Sequence, residues 1–163
     1  MNEKNNYYDF TNVFFRIYIR EILEANLEHG DQKIYLILNM GKAKLRIRKI
    51  RLLARVTEKN ETSRWIDFRL DDGTGEIIMR VWKDSGKKLV EQISLNNYVT
   101  VLGFIKEFRE KRYISPIIVK DASNINFEKW QAHVENIREF LKAKILKRGQ
   151  NDCNWMMNLP SSE

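Results

Sequence analysis

One cysteine, Cys153, in 163 residues excludes an intrachain disulfide framework and points to a reducing compartment. Only His29 and His133 stand beside it, too few for a His/Cys zinc cluster. Apolar runs are too short to span a bilayer, and the opening MNEKNNYYDF lacks the profile of a signal peptide. An intracellular chain with no membrane partner is expected. There is no P-loop, nucleophile elbow or Ser/His/Asp pattern, and no internal repeat or low-complexity segment. Catalysis, a cofactor and a metal are therefore not expected. The nearest acidic constellation, Asp71-Asp72, lacks the other ligands of a calcium loop and has no partner base; turn chemistry accounts for it.

What is present is positive charge, and it is concentrated. Residues 44–121 hold 18 basic and 11 acidic side chains, so the whole net charge of +7 falls on the middle of the chain. A basic folded domain favours a polyanionic partner, nucleic acid before membrane.

The middle is organised around WIDFRLDDGTGEIIMRVWK, residues 65–83. Ile66, Phe68 and Leu70 alternate with Trp65, Asp67 and Arg69, and Ile77, Met79 and Val81 alternate with Ile78, Arg80 and Trp82. Such alternation gives each strand one buried and one exposed face, and Asp71-Asp72-Gly73-Thr74-Gly75 supplies the turn. The face away from the core carries Trp65, Arg69, Arg80 and Trp82, rings interleaved with guanidinium groups. That pattern suits stacked bases and phosphates.

In chain order, residues 1–12 are polar and expected to be loose. Residues 13–44 read as a lead-in that packs on the main domain: a short extended entry, a helical turn or loop, a break at His29-Gly30-Asp31, and a strand over Ile34–Leu38. Strands are predicted over 45–57, 64–71, 75–83, 98–108 and 112–120, with a short helix near Leu89, Val90 and Ile93 before the fourth. Gly103 sits where a strand must bend, and Pro116 marks an edge or a bend. Three strands, a short helix and two strands is the order of a five-stranded OB-fold barrel, placed at 45–121, with an N-terminal extension. An SH3-like barrel is the structural rival.

A helix over 124–148, capped by Asn124 or Asn126, follows. Phe127, Trp130, Val134, Ile137 and Leu141 form a heptad seam, widened by Phe140 and Ile145. The seam serves either a fold-back on the barrel or an oligomerisation bundle, and the latter is the expectation. Residues 149–163 are expected to be disordered.

The combination LDDGTGEIIMRVWK, then GFIKEFREKRYI, then a helix resembles the middle, 32-kDa-type subunit of replication protein A and the Stn-type subunit of telomere-capping complexes. VFFRIYIREIL and ISLNNYVTVLGFIKEFREKR are similar to the Stn-type proteins. The likeness runs from Val13 to Leu146. It implies an OB-fold that binds single-stranded DNA, Trp82 and Phe108 as stacking platforms, and a C-terminal helix that joins large and small OB-fold subunits in a bundle. DNA polymerase-primase is a further implied partner. The winged-helix region of eukaryotic members finds no room here, and a compact archaeal form fits.

Lys83, Lys106, Arg109, Lys111 and Arg112 lie near these platforms as a basic cluster suited to phosphates. Each candidate also has a plainer role: Trp82 packing under a loop, Phe108 plugging a barrel end, Trp65 as structure, the cations as a solvated turn. Three functions stand. The chain is a single-stranded DNA-binding subunit of a heteromer, a bridging subunit with marginal DNA affinity, or an RNA-binding OB module or primase accessory factor. Stacking does not separate DNA from RNA. A chromosome-associated location follows from the first.

Overall fold

The structure, a computed structural model, describes residues 7–148, with side chains described through residue 145. Its elements run β1 (Tyr7–Asp9), β2 (Phe14–Arg16), α1 (Ile19–Glu24), β3 (Asn26–Gly30), β4 (Lys33–Met40), β5 (Ala43–Ile47), β6 (Lys49–Glu61), β7 (Trp65–Asp71), β8 (Glu76–Trp82), α2 (Lys87–Glu91), β9 (Tyr98–Phe108), β10 (Lys111–Asp121) and α3 (Phe127–Arg148). The chain is mainly β, and its centre is an OB-fold.

Strands β6 to β10 pair in the order β6-β7-β8-β10-β9, and β9 returns to β6. The ring is thinnest between β8 and β10, which run parallel and share only the pairs Tyr113↔Ile78 and Ile114↔Met79. Alternation along each strand builds the interior. Ile50, Leu52, Ala54 and Val56 meet Ile66, Phe68, Leu70, Ile77, Met79, Val81, Val99, Val101 and Ile105 in one buried cluster. Gly103 has a steric role. A Cβ there would lie 2.9 Å from the Pro116 Cα, and the β9–β10 register shifts between Pro116 and Ile118. The glycine lets two backbones close up where the sheet coils.

Helix α3 begins at Asn126, whose Oδ1 accepts the Lys129 N–H at 3.1 Å. It folds back on its own barrel, one of the two uses its seam allows. Trp130 and Val134 are buried with Leu53 and Ala122, beside Phe127, Tyr18 and Tyr98. Leu141 is buried in the main core, with Ile137 and Ile145 packed against it. Each fully buried side chain of this kind stabilises the docked helix by about 1.5–3 kcal/mol. The physical reason is economy of surface: Leu53 points out of the barrel and needs a cover. Only Phe140 of the seven named residues lies at the helix flank, with the Lys144 ammonium 5.5 Å from its ring.

The lead-in is more ordered than the sequence suggests. Tyr7–Asp9, expected to be loose, pairs parallel with β5, and Tyr8 and Phe10 are buried. Asn26–Gly30, which runs into the break expected at His29-Gly30-Asp31, is a strand that pairs antiparallel with β4 through a turn at Asp31 and Gln32. Together β1, β5, β4 and β3 form a second sheet. These edge strands are short: β1 has three residues with one buried, and β3 carries only one half-buried apolar residue, Leu27, so neither is long enough for an alternation to be read. The tail expected over 149–163 and the first six residues lie outside the described part.

Candidate nucleic-acid interface

The β7–β8 hairpin has the register Trp65↔Trp82, Asp67↔Arg80 and Arg69↔Ile78. Because the turn is short, these six side chains share the outer face, as the alternation requires. At its rim, Asp71 Oδ1 accepts the Gly73 N–H and Asp72 Oδ1 accepts both the N–H and the hydroxyl of Thr74. Asp72 does more than turn the chain. It is buried, and its Oδ2 accepts the Ile19 N–H at 2.8 Å, tying the hairpin to the start of α1.

Across that face lies an open groove of about 640 Å³, lined among others by Arg69, Ile78, Arg80, Phe108, Lys111 and Tyr113. Trp82 stands beyond Arg80 and is 45% exposed; Phe108, at the other end, is 58% exposed. Neither ring belongs to the core. Phe108 is held out by the β9–β10 hairpin, where Arg109 and Glu110 both adopt left-handed backbone, with φ of 50° and 64°. That is the conformation a two-residue hairpin turn demands, here without a glycine or asparagine. The Arg109 guanidinium lies 5.2 Å from the Phe108 ring.

The cations of the groove are less free than the sequence suggests. Arg80 makes a two-pronged contact with Asp67, at 2.8 and 3.0 Å, between the rings of Trp65 at 4.3 Å and Tyr113 at 5.1 Å. The hydrogen bond to Asp67 holds its pKa above the usual arginine value, against the opposing pull of burial. Arg69 pairs with Glu58 and Glu76, and Lys83 with Glu61 at 2.7 Å. That contact lowers the Glu61 pKa. Arg112 donates to the Ile22 and Leu23 carbonyls at the end of α1, where cations are favoured. Arg80, Arg69, Lys83 and Arg112, expected as phosphate contacts, are thus engaged inside the molecule. Cross-strand register puts a carboxylate opposite each arginine of the hairpin or beside it. Among the described residues, Lys106, Arg109 and Lys111 have no carboxylate partner.

Trp65 is half-buried and meets Trp82 edge-on, centroids 5.3 Å apart at 69°. Its indole N–H finds no acceptor among the described residues. Tyr113 and Ile78 belong to the groove, although sequence reasoning did not select them. The alternation of Tyr113 with buried Ile114 was the available signal.

A closed sheet of five strands with exposed rings and cations on one outer face defines a class. The chain belongs to the OB-fold nucleic acid binding domain family, whose sequence model matches residues 50–139. Within it, the chain is similar to replication protein A 32 kDa-type and Stn-type proteins. It is 30% identical over 138 residues to the uncharacterized 18.7 kDa protein in the ribosomal RNA operon of Thermofilum pendens, covering 83% of this chain and 80% of that one. A rice protein (Oryza sativa subsp. japonica), one of its 32 kDa replication protein A subunits, is 26% identical over 110 residues. That match takes in 66% of this chain but only 35% of the rice protein. Among solved structures, a replication protein A heterotrimer bound to single-stranded DNA contains a chain 30% identical, with TM-score 0.56. The match covers 75% of this chain and 89% of that one. The Stn1–Ten1 complex of S. pombe shares the fold at 17% identity, TM-score 0.67, covering 85% and 99%.

Proposed function

We propose that this chain is a single-stranded DNA-binding subunit of a replication protein A-like complex. The observation that carries the proposal is the pair of exposed rings on one outer face, Phe108 in the lining of the groove and Trp82 the next outward residue of β8 after Arg80, with the Asp67–Arg80 pair stiffening the floor between them. Rings that cost solvent exposure and serve no core are suited to stacking bases. Lys106, Arg109 and Lys111 supply phosphate contacts from one end, and they are few. For about three such contacts on a single strand, log K should fall with log[salt] at a slope of about −2.

The likeness to a chain of a replication protein A heterotrimer bound to single-stranded DNA supports OB-fold subunits as partners; DNA polymerase-primase and a chromosome-associated location belong to the proposal alone. With the inner seam of α3 docked, assembly would use the flank bearing Phe140. The test compares binding of oligothymidine, the matching RNA and a duplex. Trp82→Ala and Phe108→Ala should each weaken single-strand binding by about 1–3 kcal/mol per base, at unchanged melting temperature. Tighter binding to duplex would sink the proposal; tighter binding to RNA would move the chain to the RNA-binding alternative. If binding is lost only in step with unfolding, the ring was structural.

A further inference from the structure

The outer side of β9 does not end at the groove. Its outward residues are Phe108, Lys106, Phe104 and Leu102, alternating with buried Ile105 and Val101. Register continues this row across the sheet: Phe104 lies opposite Lys49 and Leu102 opposite Arg51, and parallel β2 adds Phe14 beside Lys49 and Arg16 beside Arg51. From Phe108 to Leu102 the strand covers about 20 Å.

The chemistry of this second face differs from that of the groove. Arg48 lies 4.5 Å from the Phe104 ring, Lys49 lies 5.5 Å from Phe14, and Arg51 lies 5.7 Å from Trp130 on α3. Among the described residues no carboxylate pairs with Arg48, Lys49 or Arg51. The Arg51 Nε has no acceptor among them. Beside Arg51 an open hollow of about 520 Å³ is lined by Leu102, Lys120, Asp121, Asn124 and Ile125. Its one carboxylate, Asp121, turns its Oδ1 to the Ser123 N–H at 2.9 Å. Burial followed by the Arg51 charge lowers the Arg16 pKa, and burial followed by Arg16 and Arg51 lowers that of His133. The cations of this face repel one another.

We propose that this band is a second, phosphate-binding track, over which a single strand leaving the groove at Phe108 continues along β9 to Arg51. The proposal rests on the groove being the strand's first contact, because Lys106 and Phe104 make the two faces contiguous. A polymer fits better than a small phosphate: the cations are spaced along a row and do not converge on one point.

The test uses the full chain and oligothymidines of about 8 and about 20 nucleotides, lengths around and above the site size of one OB-fold. Wild type should bind the longer strand about tenfold more tightly, with a salt slope steeper by about 2. The triple variant Arg48→Gln, Lys49→Gln, Arg51→Gln should bind the short strand as wild type does and lose the gain with length. Should that variant fail to fold, acetylation of Lys49 in wild type is the readout, and only the long strand should protect it. A folded variant that keeps the wild-type length dependence overturns the proposal. So does Lys49 protection by inorganic pyrophosphate equal to that by the long strand, or a variant defective only in holding an OB-fold partner. Failure to bind even the short strand defeats the groove reading itself, a distinct outcome.

Discussion

Two faces of one barrel handle positive charge in opposite ways. On the β7–β8 face the arginines are matched to carboxylates by register, Arg80 to Asp67 and Arg69 to Glu58 and Glu76. On the β2–β6–β9 face Arg48, Lys49 and Arg51 lie against rings. The net charge of the chain is therefore a poor guide to where it is felt. A matched face contributes shape, a stiff floor under stacking rings. An unmatched face contributes field, and fields reach a polyanion first.

The largest contrast should come from cutting one partner on each face. Asp67→Ala leaves the Arg80 guanidinium half-buried without its acceptor and should lower stability by about 1–3 kcal/mol, read from denaturant melts. Arg51→Gln removes a repelled charge and should leave stability within about 0.5 kcal/mol or raise it. Equal losses would erase the distinction.

A smaller effect is expected at the hairpin that joins the faces. Left-handed backbone costs an ordinary residue roughly 1–2 kcal/mol. Arg109→Asn with Glu110→Gly should therefore raise stability by about 1 kcal/mol and shrink the salt slope by about one contact. A drop in melting temperature would mean that this turn is not under strain.

The smallest effect is in pH. His133, half-buried beside Arg16 and Arg51, has its pKa held below the ordinary 6.5, first by burial and then by those charges. Above 6.5 it is neutral folded and unfolded. As pH falls below 6.5 the unfolded chain takes up the proton first, so stability is lost until the folded value is passed. His133→Gln should flatten that acid-side loss in melting temperature. Bound oligonucleotide should raise the His133 pKa in an NMR titration by offsetting the arginines, and no change on binding would argue against a filled second face.

How much of this was legible depends on what kind of regularity carried it. The five barrel strands could be read because half-burial imposes a period of two, and the turn residues from Asp71 to Gly75 fixed their joints. Exposure of Trp82 followed from its being out of phase with Val81. The Asp67–Arg80 pair was readable in principle, since a hairpin turning between Asp71 and Glu76 sets those residues opposite. Strands β1 and β3 could not be read, because edge strands of a few residues carry too few buried positions. The α3 seam was legible as a seam but not as to its partner. A heptad stripe is the same whether a barrel or another helix covers it. The second face was hidden for another reason: it is assembled from β2, β6 and β9, which only topology brings together.

Helix α1 has six residues, too few to persist alone. What holds it comes from three distant parts of the chain: Asp72 caps its start, Arg112 grips its end, and Glu21 on its flank joins Arg138 of α3. The bonds to Arg112 and Arg138 span 90 and 117 residues, well beyond any strand pairing in the barrel, and loop closure over such separations is expected to come late in folding. The helix acts as a keystone, set after the arch is built. Weakening it should then hasten collapse of the finished fold without slowing its construction. Glu21→Gln should steepen nothing on the folding limb of a chevron and raise only the unfolding limb. This junction would set how long the folded state endures between openings.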